Sequence, residues 1–282
     1  MIIFKHSADI ISQLQKLKAV KSSMGFVPTM GALHEGHISL LIKSKEICDI
    51  TISSIFINPT QFNNADDFKK YPVTLEQDIY TLEKNFCDIL FLPDVNEIYP
   101  HGTNAKKHFE IGYLENIMEG KYRPGHFQGV CQVVKQLLEI VNPTHLFMGQ
   151  KDYQQTMVIK KLLELETFDI ELIICPTQRE ANGLAMSSRN LRLDKQQREI
   201  AAEIYKTLLI IKQKIKPGSL VQLIIEAGQN LRTKKLKPDY VEIAKADNLE
   251  PVNEWNGTDN LVILAAAYIG EVRLIDNILL KD

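Results

Sequence analysis

Gly25–Phe26–Val27–Pro28–Thr29–Met30, followed by Gly31–Ala32–Leu33–His34–Glu35–Gly36–His37–Ile38–Ser39–Leu40–Leu41, sets two glycines and two histidines where an apolar run turns into a helical pattern. GFVPTM reads as a buried strand, because its apolar character is continuous and not alternating. From Ile38 to Cys48 the apolar residues return at helical spacing. The glycines then mark a turn at the strand's carboxyl end, where backbone must approach closely or take positive φ. The first turn of a helix presents unpaired N–H groups and a positive dipole end, a setting that suits phosphate.

The same alternation runs through the first 176 residues. ITISSIFI (50–57), DILFLP (88–93), THLFMG (144–149) and IELIICPT (170–177) read as strands covered on both faces. Helical patterns fall at 74–86, 129–141 and 153–165. This order predicts an α/β fold with a doubly wound, Rossmann-like parallel sheet, whose ligands sit outside the strands' carboxyl ends. Beyond about residue 176 the texture changes. A charged helix is expected over 194–215, a second over 219–234, then a break at Lys237–Pro238 and strands in YVEIA, LVILAAAYI and EVRLIDNILL. The expected domains are therefore 1–176, Rossmann-like, and 177–282, a smaller α+β domain.

Composition narrows the function. The 282 residues carry 45% hydrophobic and 24% charged side chains and a formal net charge of -2. That is a globular composition without the basic surface that extended nucleic-acid binding requires. The N-terminus is too interrupted for a secretion signal, and the apolar C-terminal run carries Glu271, Arg273 and Asp276, so neither a membrane nor a nucleic-acid partner is expected. Cys48, Cys87, Cys131 and Cys175 are scattered in apolar surroundings, which reads as reduced, buried thiols in a cytoplasmic protein.

The turn itself fails two familiar patterns. Gly31-x-x-x-x-Gly36 has the spacing of a phosphate loop, but His37 and Ile38 stand where that motif needs Lys and Ser or Thr. His34 and His37 are three apart, not the four of a zinc-protease helix. Two imidazoles on one face of a helix's first turn remain. They fit phosphate donors, and they fit equally a structural turn with helix-capping histidines.

Further segments decide the matter. FINPTQF (56–62), YRPGHF (122–127), FMGQKDYQQ (147–155) and REANGLAMSSRN (179–190) follow in order. Together with PTMGALHEGHISLL they resemble the pantoate–β-alanine ligases, the pantothenate synthetase family. The H-x-G-H element also resembles the HIGH signature of the wider nucleotidyl-transferase group. The resemblance covers nearly the whole chain and is weakest in its last ninety or so residues. It implies ATP-dependent condensation of (R)-pantoate with β-alanine through pantoyl adenylate, with release of pyrophosphate and AMP. No covalent enzyme intermediate is needed, in keeping with the absence of a G-x-S-x-G element.

The site residues that follow are those the resemblance implies. Met30, Gly31, Ala32, Leu33, His34, Glu35, Gly36 and His37 line the ATP site. His37 is its proton donor and His34 a phosphate contact. Gly149, Gln150, Lys151 and Asp152 form a second nucleotide segment, with Lys151 on the phosphates and Asp152 on the ribose. Met186, Ser187, Ser188 and Arg189 resemble a mobile phosphate loop, and Gln178 an adenine contact. Catalysis is expected from His37, His34, Lys151 and Arg189. Gln61 and Gln155 are the pantoate amides, and Gln61 also serves β-alanine. Phe62 is placed to pack the substrate's methyls, and Asn58 is a further candidate in its loop. ATP implies Mg²⁺, for which Asp78 is the chosen carboxylate, and the family implies a homodimer. Two departures stand out: Gln150 replaces a family Glu, and Val73 a family Arg. Taken residue by residue, Lys151–Asp152 also reads as a surface ion pair, Gln61 as a turn amide, and 186–189 as a polar loop. A nucleotidyltransferase that leaves the nucleotide on its product and a non-catalytic nucleic-acid module remain the alternative functions.

Overall fold

The computed structural model describes residues 1–63, 65–103 and 107–281. The chain divides into two compact units, one of Met1–Gly149 and Val158–Pro176, the other of Gln150–Met157 and Thr177–Asp282. Residues 150–157, expected in the first domain, fall with the second unit.

Among the described residues, six strands build the sheet of the first unit: β1 (Ile2–Phe4), β2 (Met24–Thr29), β3 (Ile50–Ile55), β4 (Ile89–Phe91), β5 (His145–Gly149) and β6 (Glu171–Cys175). All pair in parallel, in the order β1-β4-β3-β2-β5-β6. This is the doubly wound sheet expected from the alternating pattern. Helices α1 (Ser7–Ala19), α2 (Glu35–Ile47), α3 (Ala65–Lys69), α4 (Leu75–Lys84), α5 (Val95–Ile98), α6 (Met118–Tyr122) and α7 (His126–Val141) flank it, and α8 (Tyr153–Leu165) runs from the second unit into the first. On one face Val27, Leu90 and Phe147 pack with Ile38 and Leu41 of α2 and Leu82 of α4. Strand alternation turns Phe26 to the other face, where α7 meets β2.

Two-sided burial holds for the central strands and fails at the edges. Ile2 is 51% exposed on β1 and Ile174 38% on β6. β1 left no strand signal because its apolar run, unlike the longer one around the equally short β4, ends at once at Lys5.

In the second unit β8 (Lys237–Lys245), β10 (Leu261–Ile269) and β11 (Val272–Leu279) form an antiparallel sheet in the order β11-β10-β8, beside a small pair, β7 (Gly218–Ser219) with β9 (Glu254–Trp255). Helices α9 (Lys195–Ala201), α10 (Glu203–Lys214) and α11 (Val221–Thr233) accompany it. Ile204, Leu208, Ile211 and Leu231 pack with Val241, Ile243, Leu261 and Ile263 in its core. The single helix expected over 194–215 is two, meeting at Ala202. Its start was well marked: Asp194 and Gln197 form a capping box. Lys237–Pro238, expected to end regular structure, begins β8 instead. An edge strand tolerates proline, and the register slips opposite it, between Ala266 and Ala267.

All four cysteines are buried free thiols. Among the described residues, no helix is long and apolar enough to cross a membrane.

Candidate active site

In the sheet, β2 lies between β3 and β5, the point where strand order reverses. Such a switch point opens a crevice beyond the strand ends. The chain leaves β2 at Thr29 into a turn with Gly31 at φ 79° and Ala32 at φ 49°. Positive φ at alanine is costly and needs outside support. Asp78 supplies it from α4. Its Oδ2 accepts from the Ala32 N–H at 2.9 Å, and its Oδ1 from the Leu33 N–H at 2.8 Å and the Thr74 hydroxyl at 3.1 Å. A Cβ on Gly31 would stand 3.0 Å from Asp78 Oδ2, so this turn requires glycine on both counts. Thr29 joins the brace: its hydroxyl donates to the Ser54 carbonyl and accepts from the Gly31 N–H.

Asp78 is the carboxylate expected for Mg²⁺. The residue is 2% exposed, and both its oxygens serve the turn. Among the described residues, no cluster of three His, Cys, Asp or Glu side chains stands ready for a metal.

His34 is the N-cap of α2, and its Nδ1 accepts from the Gly36 N–H at 3.1 Å. His37, at the third helical position, accepts from the His34 N–H through its own Nδ1 at 3.3 Å. The pair is a capping box built from imidazoles, with ring centroids 4.1 Å apart. Since each Nδ1 accepts, the neutral ring carries its proton on Nε2. The capping and the phosphate-donor readings are thus compatible: one nitrogen caps, and the other holds the proton to donate. Exposed Glu35 in the first turn complements the helix dipole.

Gln61 lies against this turn. Its Nε2 reaches the Met30 sulfur at 2.7 Å. Its loop is braced from three sides. Asn58, almost fully buried, donates to the Gly129 carbonyl at 3.1 Å and accepts from the Thr60 N–H and the Tyr99 hydroxyl. A Cβ on Gly129 would sit 2.3 Å from the Thr60 carbonyl oxygen, so α7 presses on the loop through a glycine. His126 Nδ1 donates to the Gln61 carbonyl at 2.8 Å while its Nε2 meets Arg123 at 3.1 Å. The YRPGHF segment, to which no chemistry was attached from sequence, therefore buttresses the Gln61 loop. Asn58 proves to be the loop's hub. Phe62 packs edge-on against Phe68 and Tyr71.

The second unit holds the remaining candidates. Gln150, Lys151 and Asp152 form a single 3-10 turn directly after Gly149. Lys151 is largely buried and lies 3.7 Å from exposed Asp152, a weak ion pair. Asn277 of β11 clamps the turn, its Nδ2 donating to the carbonyls of Gln150 at 2.9 Å and Lys151 at 2.8 Å. Beside it Asp276 accepts two bonds from Arg179, at 2.6 and 3.0 Å. Burial pushes the Asp276 carboxyl up, against the pull of the Arg179 guanidinium. Gln178 and Met186 close a hairpin, the Met186 N–H donating to the Gln178 carbonyl at 2.9 Å. Ser187 then caps a 3-10 helix spanning Ser188–Arg192, accepting from the Arg189 N–H. Asn190 ties that helix to Glu180 and the Ala185 carbonyl. Gln155 lies half-buried in the first turn of α8. Sequence reasoning missed Asp276 and Asn277, strand residues far along the chain with no local mark of what they touch, and left Arg179, the first residue of the 179–190 segment, without a role.

A parallel sheet whose switch point carries a glycine turn and a histidine-capped helix, joined to a smaller α+β unit, defines a nucleotide-binding α/β class. Comparison with known proteins narrows it. Residues 2–279 match the family described as pantoate-beta-alanine ligase. A pantothenate synthetase of Cytophaga hutchinsonii is 46% identical over 270 residues, 95% of each chain. The crystal structure of pantothenate synthetase from Thermus thermophilus superposes with a TM-score of 0.89 at 34% identity over 100% of both chains. That of the Francisella tularensis pantoate-beta-alanine ligase, complexed with beta-gamma ATP and beta-alanine, gives 0.81 at 41% identity, covering 100% of this chain and 98% of that one. The chain belongs to the pantoate-beta-alanine ligase family.

Proposed function

We propose that this protein condenses pantoate with β-alanine to give pantothenate, consuming ATP. In the first step a carboxylate oxygen of pantoate attacks the α-phosphorus of ATP. Pyrophosphate leaves, and the acid becomes an acyl adenylate. In the second step the amine of β-alanine attacks the acyl carbon, the amide forms, and AMP leaves. Charge builds on the phosphate oxygens in the first step, so preorganised donors and cations are what catalysis needs.

The observation that carries this reading is the imidazole capping box at the end of β2. It fixes two rings with Nε2 as the donor nitrogen, and in this reading His34 and His37 give those protons to phosphate oxygens, His37 toward the reacting phosphate. Met30 to Leu33 and Gly36 shape the turn around the nucleotide. With their amides committed to Asp78, Ala32 and Leu33 contribute shape and not donors. Lys151 adds a point charge to the phosphates and Asp152 an acceptor for ribose hydroxyls. Gln178 faces the adenine, and Met186, Ser187, Ser188 and Arg189 take the outer phosphates through hydroxyls and guanidinium. Gln61 and Gln155 bond the hydroxyls and carboxylate of pantoate, and Gln61 receives β-alanine. Mg²⁺ enters with the substrate, held by phosphates and water. The protein works as a homodimer in the cytoplasm.

Incubation with MgATP, pantoate and β-alanine, each omitted in turn, tests the assignment. Pantoate alone is expected to drive exchange of pyrophosphate into ATP, with AMP accumulating once β-alanine is added. A product that keeps the nucleotide would make the protein a nucleotidyltransferase instead.

A further inference from the structure

We infer that Asn277, held by Asp276 and Arg179, is a positioning residue for adenylation, setting the direction of the Lys151 side chain through the backbone of Gln150 and Lys151. The inference rests on the proposed role of Lys151 at the phosphates.

Asn277 is 2% exposed and uses its whole amide. Both Nδ2 hydrogens go to consecutive carbonyls, those of Gln150 and Lys151, and Oδ1 accepts from Gln150 Nε2 at 3.2 Å. Two successive carbonyls drawn to one nitrogen define the 3-10 turn and therefore the direction in which Lys151 leaves the backbone. A single amide at that depth is worth this arrangement only if it cannot rotate. Asp276 prevents rotation of the strand behind it: Oδ1 accepts from the Asn277 N–H at 2.8 Å, and the carboxylate receives the forked guanidinium of Arg179. Arg179 is itself fixed. It donates to the carbonyls of Gly183 at 3.2 Å and Asn277 at 3.3 Å, and its guanidinium carbon stands 3.5 Å from the centre of the Tyr205 ring. Arg179 also belongs to the hairpin that leads into Met186–Arg189, joined across it by the Arg179–Ala185 bridge. One buried network thus connects, within a single unit, the two segments that the proposed function gives to the phosphates.

A network that only supported the fold would affect both chemical steps alike. A network that aims Lys151 affects the step in which a triphosphate is present. The experiment separates these with Asn277→Leu, which keeps the volume and removes both donors, and Lys151→Met. Two rates are read for each: pantoate-dependent pyrophosphate exchange, and amide formation from synthetic pantoyl adenylate and β-alanine, where no triphosphate is bound. Asn277→Leu is expected to slow exchange about 10- to 100-fold and leave amide formation within about threefold. The double variant is expected to be no slower in exchange than Lys151→Met alone by more than about threefold, since the two act through one group. Equal losses in both steps, or full additivity in the double variant, would overturn the inference while leaving the proposed function standing. Unchanged exchange in Lys151→Met would overturn it through the reading of Lys151 itself. If Asn277→Leu does not fold, Asn277→Ser, which is too short to reach either carbonyl, carries the same comparison.

Discussion

The turn after β2 and the turn after β5 both leave the carboxyl end of a neighbouring strand, and they are held by opposite chemistry. At the first, an acceptor side chain, Asp78, takes backbone N–H groups. At the second, a donor side chain, Asn277, takes backbone carbonyls. Each choice decides what the turn can offer a ligand. With its amides committed, the first turn is left with side-chain donors, and the proposed function gives that part to the imidazoles of the helix cap. At the second turn the carbonyls are tied back, which under the proposed function keeps backbone acceptors from repelling the phosphates that Lys151 would meet. Glycine turns of similar spacing are commonly assigned to anions through their amides. Here the partner of those amides is internal.

The sharpest way to break the comparison is at His37. His37→Ala is expected to slow adenylation about 10²- to 10³-fold, the usual cost of one lost donor to developing charge. It also removes half the capping box, about 0.5–2 kcal/mol. His37→Gln separates the two effects, because glutamine is a normal partner at that position of a box. Its melting temperature should stay near that of the parent while adenylation remains slow. A variant that regains its rate with its cap would reduce His37 to a structural residue.

Asp78→Ala should come next, costing about 2–5 kcal/mol in denaturant unfolding, since two buried amides lose their acceptor. Asp78→Asn should cost less; an unchanged Mg²⁺ requirement of the rate would confine the carboxylate to the turn, and an altered one would give it the metal role as well. Gly129→Ala should destabilise by about 1–3 kcal/mol and raise the pantoate requirement more than the ATP requirement, because its Cβ pushes on Thr60.

The smallest effects lie away from both turns. Burial pushes the Cys48 thiol up to about 11 and those of Cys87 and Cys131 to about 12, and raises Cys175 as well. The native thiols should therefore resist alkylation at pH 8 and react only on unfolding. The sign for stability follows. In the unfolded chain these thiols ionise near 9 while the folded chain keeps them neutral, so their contribution is intact below that pH and declines as pH rises toward 12. A unfolding midpoint that rises over that interval would contradict their burial.

How far the sequence could be read depended on the range of each interaction. The parallel sheet was legible because buried strands and amphipathic helices carry their periods within a few residues. The histidine box was legible as a spacing of three, though its dual use became clear only from which ring nitrogen met the backbone. Asp78 was singled out as a carboxylate, but its service to the turn was not legible, because its partners lie some forty-five residues back in the chain. Asn277 lies still farther from Gln150, inside a run that reads as strand and nothing more. Lys237–Pro238 shows the reverse fault: a local rule about proline was applied where the edge of a sheet relaxes it.

The place of β2 in the sheet has a consequence for biosynthesis. Its neighbour β3 follows within a few dozen residues, but β5, whose His145 pairs with Gly25 and whose flanking Thr144 receives the Met24 N–H, lies 120 residues downstream. At the pace of a ribosome, about 5–20 residues per second, the strand that ends in the histidine turn waits roughly 6–24 s for its second partner. Until then its far edge is bare, and the nascent chain passes through an interval in which the strand leading into the histidine turn needs shelter from its neighbours.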